Sequence, residues 1–483
     1  MTTTRGINAL HKLDENVPTR FIWSLTLLAT LGGFLFGYDT SNIGAALQFI
    51  PYQLNAFGTG YLVAGASLGA AAGALLAGPL TDRFGRKKLL VVDALIYAIG
   101  ALLSAFTWHV SVLMFARTLI GLAIGADSAI ATAYISEYAP AKRRGALAML
   151  QQWMITVGIL VSYVVALVIL KIWPGSSGAD WRWFFGLGAV PAIIGLILRF
   201  EMPESPRWLI RKGKYDQAQQ AFDQLGIEVS VDDVEYTAQE LEQEDENNER
   251  AAGRKWTPGV RRALYVVCIF FVFQQITGIN VPFYYGPTLL ASYFQSGSST
   301  VDVATAGIAV TTILTLVNVI ATYFAFRYID KIGRRKLAIG GFGGMAVFAV
   351  VSAIGLGALS GDLRVWVGMI GLSLFIASFA IGVGGTGWLI QGEMFPTAVR
   401  GQAASIAATV DWVANYALIE AFPASQRAIG LGWVLVCFAG LCVAAIVFVA
   451  KFLPETKGLA VEEITEVFEK QAAGKDVSVS APA

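Results

Sequence analysis

Asp82-Arg83-Phe84-Gly85-Arg86-Lys87 stands directly after an apolar run, and Asp330-Lys331-Ile332-Gly333-Arg334-Arg335 repeats it after another. Two further recurrences share nearly the same spacing. Glu137-Tyr-Ala-Pro140 with Arg144-Gly145 returns as Glu393-Met-Phe-Pro396 with Arg400-Gly401, and Pro203-Glu204-Ser205 returns as Pro454-Glu455-Thr456. All three offsets lie near roughly 250 residues, which marks a tandem duplication.

The duplicated unit is built from membrane helices. Of 483 residues, 55% are hydrophobic and only 14% charged, where soluble domains average about 25% charged. Apolar runs of roughly 18 to 25 residues recur along the chain, the length a helix needs to cross a hydrocarbon core of about 30 Å, and strand alternation is absent. They fall near 21–46, 57–80, 88–107, 110–135, 146–171 and 182–201, then near 263–293, 302–327, 337–359, 365–391, 402–423 and 430–453. The expected fold is therefore an all-α integral membrane protein, twelve transmembrane helices in two pseudo-symmetric six-helix bundles. Its parts are an N-terminal tail 1–20, a first bundle 21–201, a linker 202–262, a second bundle 263–453 and a C-terminal tail 454–483. The linker carries an acidic run, Glu240, Glu242, Glu244, Asp245, Glu246 and Glu249, and reads as short surface helices plus solvated chain. The first apolar run is too long for a signal-peptide core and has no small-residue cleavage site, so it is expected to stay in the membrane.

Basic residues fix the expected orientation. Connections holding Arg83, Arg86, Lys87 and Lys88, then Lys142, Arg143 and Arg144, then Arg327, Lys331, Arg334, Arg335 and Lys336 alternate with connections such as 47–56 and 294–303 that hold none. The basic side is expected to be cytoplasmic. With an even number of crossings, both termini and the linker share that side of a multi-pass plasma-membrane protein. A net charge of +1 offers no footing for nucleic acid. Cys268, Cys437 and Cys442 lie inside apolar runs without metal-like spacing and read as packing. With His11 in the tail and His109 beside Trp108 at an outer loop, no nucleophile and base pair and no metal cluster can be assembled, so an enzyme is not expected.

Charges inside the runs point to function. Asp39 ends the stretch Gly32-Gly33-Phe34-Leu35-Phe36-Gly37-Tyr38-Asp39. A carboxylate in hydrocarbon costs about 2.5 to 3.5 kcal/mol, which makes intramembrane acids functional candidates by default. The surrounding glycines suit a packed helix interface rather than a lipid face. Arg117 on the fourth span lies about 10 Å deep, as Asp39 does on the first, and a pair at matched depth is less unfavourable than two lone charges. A static salt bridge is the alternative to a working pair. Asp127, about 25 Å into the fourth span, either meets a substrate hydroxyl or amine or pairs locally. Asp93, near the basic end, and Asp411 are further intramembrane acids.

At the basic end, an acid, a turn glycine and paired cations can lock neighbouring helices by charge-assisted hydrogen bonds, with Glu137 and Glu393 as acceptors. Asp82, Arg86, Glu137 and Arg144 in one half, and Asp330, Arg334, Glu393 and Arg400 in the other, read as a gate latch. Anchoring by basic loops is the alternative. The seventh span supplies Gln274, Gln275 and Asn280, with Gly278 and Pro282 disturbing its helix, and Tyr284 and Tyr285 as outer-gate aromatics. Parallel six-helix repeats place a substrate site at their interface near mid-membrane, open to each side in turn.

From Phe21 to Gly458 the chain resembles the sugar porter family of the major facilitator superfamily. The resemblance rests on Asp82–Lys88 and its repeat, on Pro203-Glu-Ser-Pro-Arg207-Trp208-Leu209, on Gln274-Gln275-Ile-Thr-Gly278-Ile-Asn280 and on Pro454-Glu-Thr-Lys-Gly458. It implies transport of a hexose, pentose or polyol, by proton symport or passive facilitation, by a monomer whose partners are the sugar, protons and the lipid bilayer. No cofactor is implied; the proton is the coupling ion. Asp39 and Arg117 stand where proton-coupled members carry an acid and an arginine, so that protonation of Asp39 would release Arg117. Matching positions imply Gln152, Asn318, Trp388 and Asn415 as further sugar contacts, suited to binding hydroxyls and covering a pyranose face. Three departures stand out: Gly382-Val-Gly384-Gly385-Thr-Gly387 where prolines are frequent, Gly188 where some proton-coupled members have glutamate, and Asp127 where small neutral residues are usual. A non-transporting sugar sensor is disfavoured by the short C-terminal tail, and an organic-acid transporter by the lack of cavity cations other than Arg117.

Overall fold

The computed structural model describes residues 8–15, 19–138, 144–173, 180–251, 256–293, 300–457 and 461–473. Every regular element among them is helical. The first six crossings are Arg20–Ala46, Ala56–Phe84, Arg86–Phe106, Val110–Tyr138, Arg144–Ile172, and the pair Asp180–Leu187 and Ala189–Arg199. The seventh is interrupted, Pro258–Ile276 then Val281–Ala291. Thr300–Ile332, Arg334–Ala358, Gly361–Glu393, Thr397–Ile429 and Leu431–Phe452 complete the set. Eleven of these are long and apolar enough to cross a membrane by composition alone. The exception is Thr397–Ile429, which carries Asp411, Asn415 and Glu420. It is polar because it faces the interior of the bundle.

Local chemistry starts and stops these helices. Asn55 accepts from the Gly58 amide at 2.7 Å, and Thr257 accepts from the Val260 amide ahead of Pro258. Gly85 and Gly333, at φ of 96° and 102°, make the turns that separate the second crossing from the third and the eighth from the ninth. Such φ values strain any residue with a Cβ. The next helix in each half begins on a buried-side carboxylate: Glu204 accepts from the Arg86 and Lys87 amides at 2.9 and 3.1 Å, and Glu455 from the Arg334 and Arg335 amides at 2.9 and 3.2 Å. An anion satisfying free N–H groups at a helix N-terminus is favoured by the macrodipole as well. The duplicated Pro-Glu motifs are thus helix caps, identical in the two halves.

The halves meet where the second crossing packs on the eleventh, the fifth on the eighth and the first on the seventh. Within the first half, a Cβ on Gly37 would fall 1.9 Å from the Ile155 carbonyl oxygen. Only glycine permits this approach of the first helix to the fifth. Leu75, Ile99, Ile197, Ile313, Val347 and Val443 project outward as the lipid face, while Trp108, Trp366 and Trp433 are exposed at the end away from the basic connections.

Two features depart from the simple picture of tails and loops. The tail contains a helix, Ala9–Glu15, docked on linker helices Pro206–Arg211, Tyr215–Gln224 and Val231–Ala251. Leu10 and Leu13 are buried with Trp208, Leu209 and Phe222, and the Ala9 amide donates to Thr237 Oγ1 at 2.8 Å. The tenth crossing carries a π turn, Ala380–Gly384, in its glycine-rich run.

The break in the seventh crossing is made by Gly278, at φ 91°. A Cβ there would lie 2.4 Å from the Phe438 ring. Gly278→Ala is therefore expected to destabilise the fold by about 2 kcal/mol or more. Gly343→Ala, on a helix with no atom within 4 Å of a new Cβ, should be neutral or stabilising by about 0.5–1 kcal/mol. Unfolding of both variants in detergent checks the contrast; equal behaviour would mean that the break is not built on Gly278.

Candidate substrate cavity and buried ion pairs

The interrupted helix sets the polar wall of a central cavity. Because the chain turns at Gly278, Gln274 and Gln275 end one segment and Asn280 begins the next, on the same side. All seven expected sugar contacts, Gln152, Gln274, Gln275, Asn280, Asn318, Trp388 and Asn415, line this one cavity. Thr40, Thr156 and Asp411 also line it, with Phe36 and Trp412 supplying aromatic surface that spacing alone had not singled out. The Phe36 and Trp412 rings meet edge to face at 4.9 Å.

The amides are held in a directed network. Asn280 Nδ2 and Asn415 Nδ2 both donate to Gln275 Oε1 at 2.8 Å, and Gln275 Nε2 donates to Asp411 Oδ1 at 2.7 Å. Asn415 Oδ1 accepts from Ser67 Oγ at 2.6 Å, which ties the second half to the first. Gln274 Nε2 donates to the carbonyls of Val383 and Gly384 in the π turn. Gln274 Oε1 and Trp412 Nε1 are buried and without partners, leaving an acceptor and a donor for a hydroxylated ligand.

A second cavity shares Phe36, Gln152, Ile155, Trp388 and Trp412 with the first and extends to Ser128, Thr132 and Met149, toward the basic end. The opposite end is shut. Tyr163 donates its hydroxyl to the Phe283 carbonyl at 2.5 Å, and Tyr285 donates to the Ile419 carbonyl at 3.0 Å while stacking on Phe422. Neither Tyr284 nor Tyr285 lines the cavity; both are buried in this closure.

Two deeply buried arginine–carboxylate pairs lie in the first half among the described residues. Arg117 Nη1 donates to Asp39 Oδ1, while its Nε and Nη2 reach the carbonyls of Leu62 and Val63 at 3.3 and 3.4 Å. Both side chains are buried. The pair sits directly behind the cavity wall, one residue from Thr40.

Asp127 has found a local partner. Its Oδ1 is 2.7 Å from Arg199 Nη2, and Arg199 also donates to the carbonyls of Leu90 and Ala29 at 2.7 and 3.4 Å. The contact is an ion pair without hydrogen-bonding angles, since neither carboxylate oxygen has a directed partner. Gly32 makes room for this carboxylate: a Cβ there would lie 1.5 Å from Asp127 Oδ2. Arg199 escaped notice in the sequence, although depth would have found it, at about 28 Å from the start of the sixth crossing against about 25 Å for Asp127.

At the basic end, Arg86 pairs with Glu137 at 2.8 Å and with the exposed Asp82 at 3.5 Å. Arg334 pairs with Glu393 at 2.8 Å. Each pair joins helices of one half. Arg400 Nε donates to the Phe395 carbonyl at 3.1 Å. The side chains of Arg144 and Asp330 lie outside the described residues.

A family model described as "Sugar (and other) transporter" matches residues 25–468. The chain belongs to this sugar transporter family, within the major facilitator superfamily. It is a membrane transporter, not an enzyme. It is 36% identical to the glucose transporter GlcP of Staphylococcus epidermidis, over 91% of this chain and 95% of that protein. Identity to the arabinose-proton symporter of Bacillus subtilis is 34%, over 96% of this chain and 100% of that protein. The solved structure of the proton:xylose symporter XylE bound to 6-bromo-6-deoxy-D-glucose superposes with a TM-score of 0.78 at 30% identity, covering 94% of this chain and 100% of that one.

The Asp127–Arg199 pair gives a direct stability test. Removing one partner of a buried pair costs about 3–5 kcal/mol because the other charge is stranded. Arg199→Met is expected to destabilise the transporter by about that amount, and adding Asp127→Asn should recover at least half. Unfolding of the single and double variants measures the coupling; strictly additive losses would show that the two charges do not support each other.

Proposed function

We propose that this transporter imports a monosaccharide or polyol, a hexose, pentose or inositol, by proton symport with alternating access. The observation that carries the reading is the Asp39–Arg117 pair, buried one residue behind a cavity lined by amides and tryptophans. Neutral hydroxyls suit the amides, and Trp388 and Trp412 suit the C–H face of a sugar ring. Relatives named for glucose, arabinose, xylose and myo-inositol support the substrate class.

Coupling follows from where the pair sits. A proton on Asp39 removes the charge that holds Arg117 and leaves the guanidinium on the Leu62 and Val63 carbonyls. The first helix, which presents Phe36 and Thr40 to the cavity, is then released from the fourth. Loss of a buried pair is worth about 3–5 kcal/mol, and inverting a two-state population from 1:99 to 99:1 takes about 5.5 kcal/mol. Protonation together with bound sugar is therefore of the right size to move the transporter between its two openings.

The basic end faces the cytoplasm in this reading, placing both termini and the linker in the cytosol of a monomer in the plasma membrane. The closure by Tyr163, Tyr284 and Tyr285 is then the outer gate. Arg86–Glu137 and Arg334–Glu393 form the inner latch by fixing helix packing within each half. The corresponding roles of Asp82, Arg144, Asp330 and Arg400 belong to the same proposal.

Uptake into proteoliposomes of labelled hexoses, pentoses and inositols, with and without an inward proton gradient, tests it. At least one should accumulate against its gradient. Asp39→Asn should abolish accumulation while sugar exchange remains measurable, and full proton-driven uptake by that variant would rule out Asp39 as the coupling group. Gln275→Ala and Trp388→Ala should each raise the apparent KM by about tenfold or more, the scale of one to two lost contacts.

A further inference from the structure

Asp411 is the one ionisable side chain among the described residues that line the central cavity. Its surroundings differ from those of the other acids buried with arginines. Asp39 has Arg117 and Asp127 has Arg199, whereas the hydrogen bond given to Asp411 comes from the neutral amide of Gln275. The amide chain runs toward it, from Asn280 and Asn415 to Gln275 Oε1 and from Gln275 Nε2 to Asp411 Oδ1, so the chain ends on a carboxylate acceptor. The last of these bonds, at 2.7 Å, has the short length of a charge-assisted contact. Asp411 is only 3% exposed, yet it forms part of the cavity wall. A charged carboxylate so placed is strongly unfavourable on its own, and the cost is relieved by a proton or by a positive partner.

We infer that Asp411 makes the cavity selective for a protonated amino sugar, whose ammonium supplies the missing positive charge. The inference rests on the sugar reading above and narrows its substrate class. The ring of such a ligand has the same hydroxyls and C–H faces as a neutral hexose, so the amides and tryptophans serve both. The ammonium adds an ion pair in a site of low dielectric, where the contact is stronger than in water. Phe36, Trp388 and Trp412 offer ring faces that also favour a cation. An anionic sugar acid meets like charge and is excluded.

Titration calorimetry of the purified full-length transporter at pH 6.5, with D-glucosamine, D-glucose and D-glucuronate, tests this. Glucosamine is expected to bind about tenfold tighter than glucose, a ratio worth about 1.4 kcal/mol, and glucuronate more weakly than either. In Asp411→Asn the glucosamine-to-glucose ratio should fall to within about twofold of unity. A wild-type measurement at pH 9 needs no variant: there the sugar amine, taken as an α-amino group with a pKa of about 7.7–8.0, is neutral, and the same loss of preference is expected. Among the described residues the cavity's only ionisable group is Asp411, which can only gain negative charge on going to pH 9, so a loss of preference there reports the ligand's own charge. Equal binding of glucosamine and glucose by the wild type at pH 6.5, or a preference that survives either Asp411→Asn or pH 9, overturns the inference while leaving neutral-sugar transport standing. Failure of the wild type to bind any of the three overturns this inference, and absence of transport across the wider sugar panel separately overturns the reading beneath it.

Discussion

A carboxylate and a guanidinium buried in hydrocarbon are tolerable only together, and much of the first bundle is arranged around keeping Asp39 and Arg117 in contact. Arg117 spends its remaining donors on two carbonyls of the second helix, so the guanidinium is held from three helices at once. Small residues let the backbones come close enough for this. Gly37 on the first helix is pressed against Ile155 of the fifth, and the same first helix carries Phe36 and Thr40 to the cavity. A change in the charge of Asp39 therefore acts on a helix that lines the central cavity. The second pair, Asp127 with Arg199, sits deeper in the same bundle, away from the cavity lining. It has the character of a fixed strut.

The duplication explains how rigid halves are obtained. In each, a positive-φ glycine turns the chain, a Glu from the Pro-Glu motif caps the following helix, and an arginine reaches a glutamate on the fourth helix of that half. These bonds tie each half to itself at the basic end. Contacts between halves are of another kind: Ser67 with Asn415, Tyr163 with the Phe283 carbonyl, and the close packing of the second helix on the eleventh. Neutral hydrogen bonds of this sort are worth about 0.5–1.5 kcal/mol each. They are exchanged at lower cost during a cycle than the charged pairs of the latch.

Much of this was legible in the chain because hydrophobic length and motif repetition are local signals. Twelve runs, two bundles and the Asp39–Arg117 match in depth needed only counting. The residues that line the central cavity were legible as well, though only as scattered positions. What the sequence could not show was their order: the chain from Asn280 and Asn415 through Gln275 to Asp411 depends on the break at Gly278 and on the π turn at Ala380–Gly384, both products of packing between helices. Arg199 was overlooked because it stands at the end of an apolar run next to Pro203, where a cation reads as an interfacial anchor. The tail helix Ala9–Glu15 was missed for a different reason, since a seven-residue segment with two leucines has no stability apart from the linker helices that cover it.

The central claim is that a proton on the buried Asp39 carboxylate travels with the sugar. Recording sugar entry and internal acidification in the same proteoliposomes, with no imposed pH gradient and with an outward-to-inward gradient of the sugar identified as substrate, tests it most directly. The account predicts acidification that starts with sugar entry, in a fixed ratio to it across sugar concentrations. Sugar entry at the same rate with no accompanying acidification would contradict it.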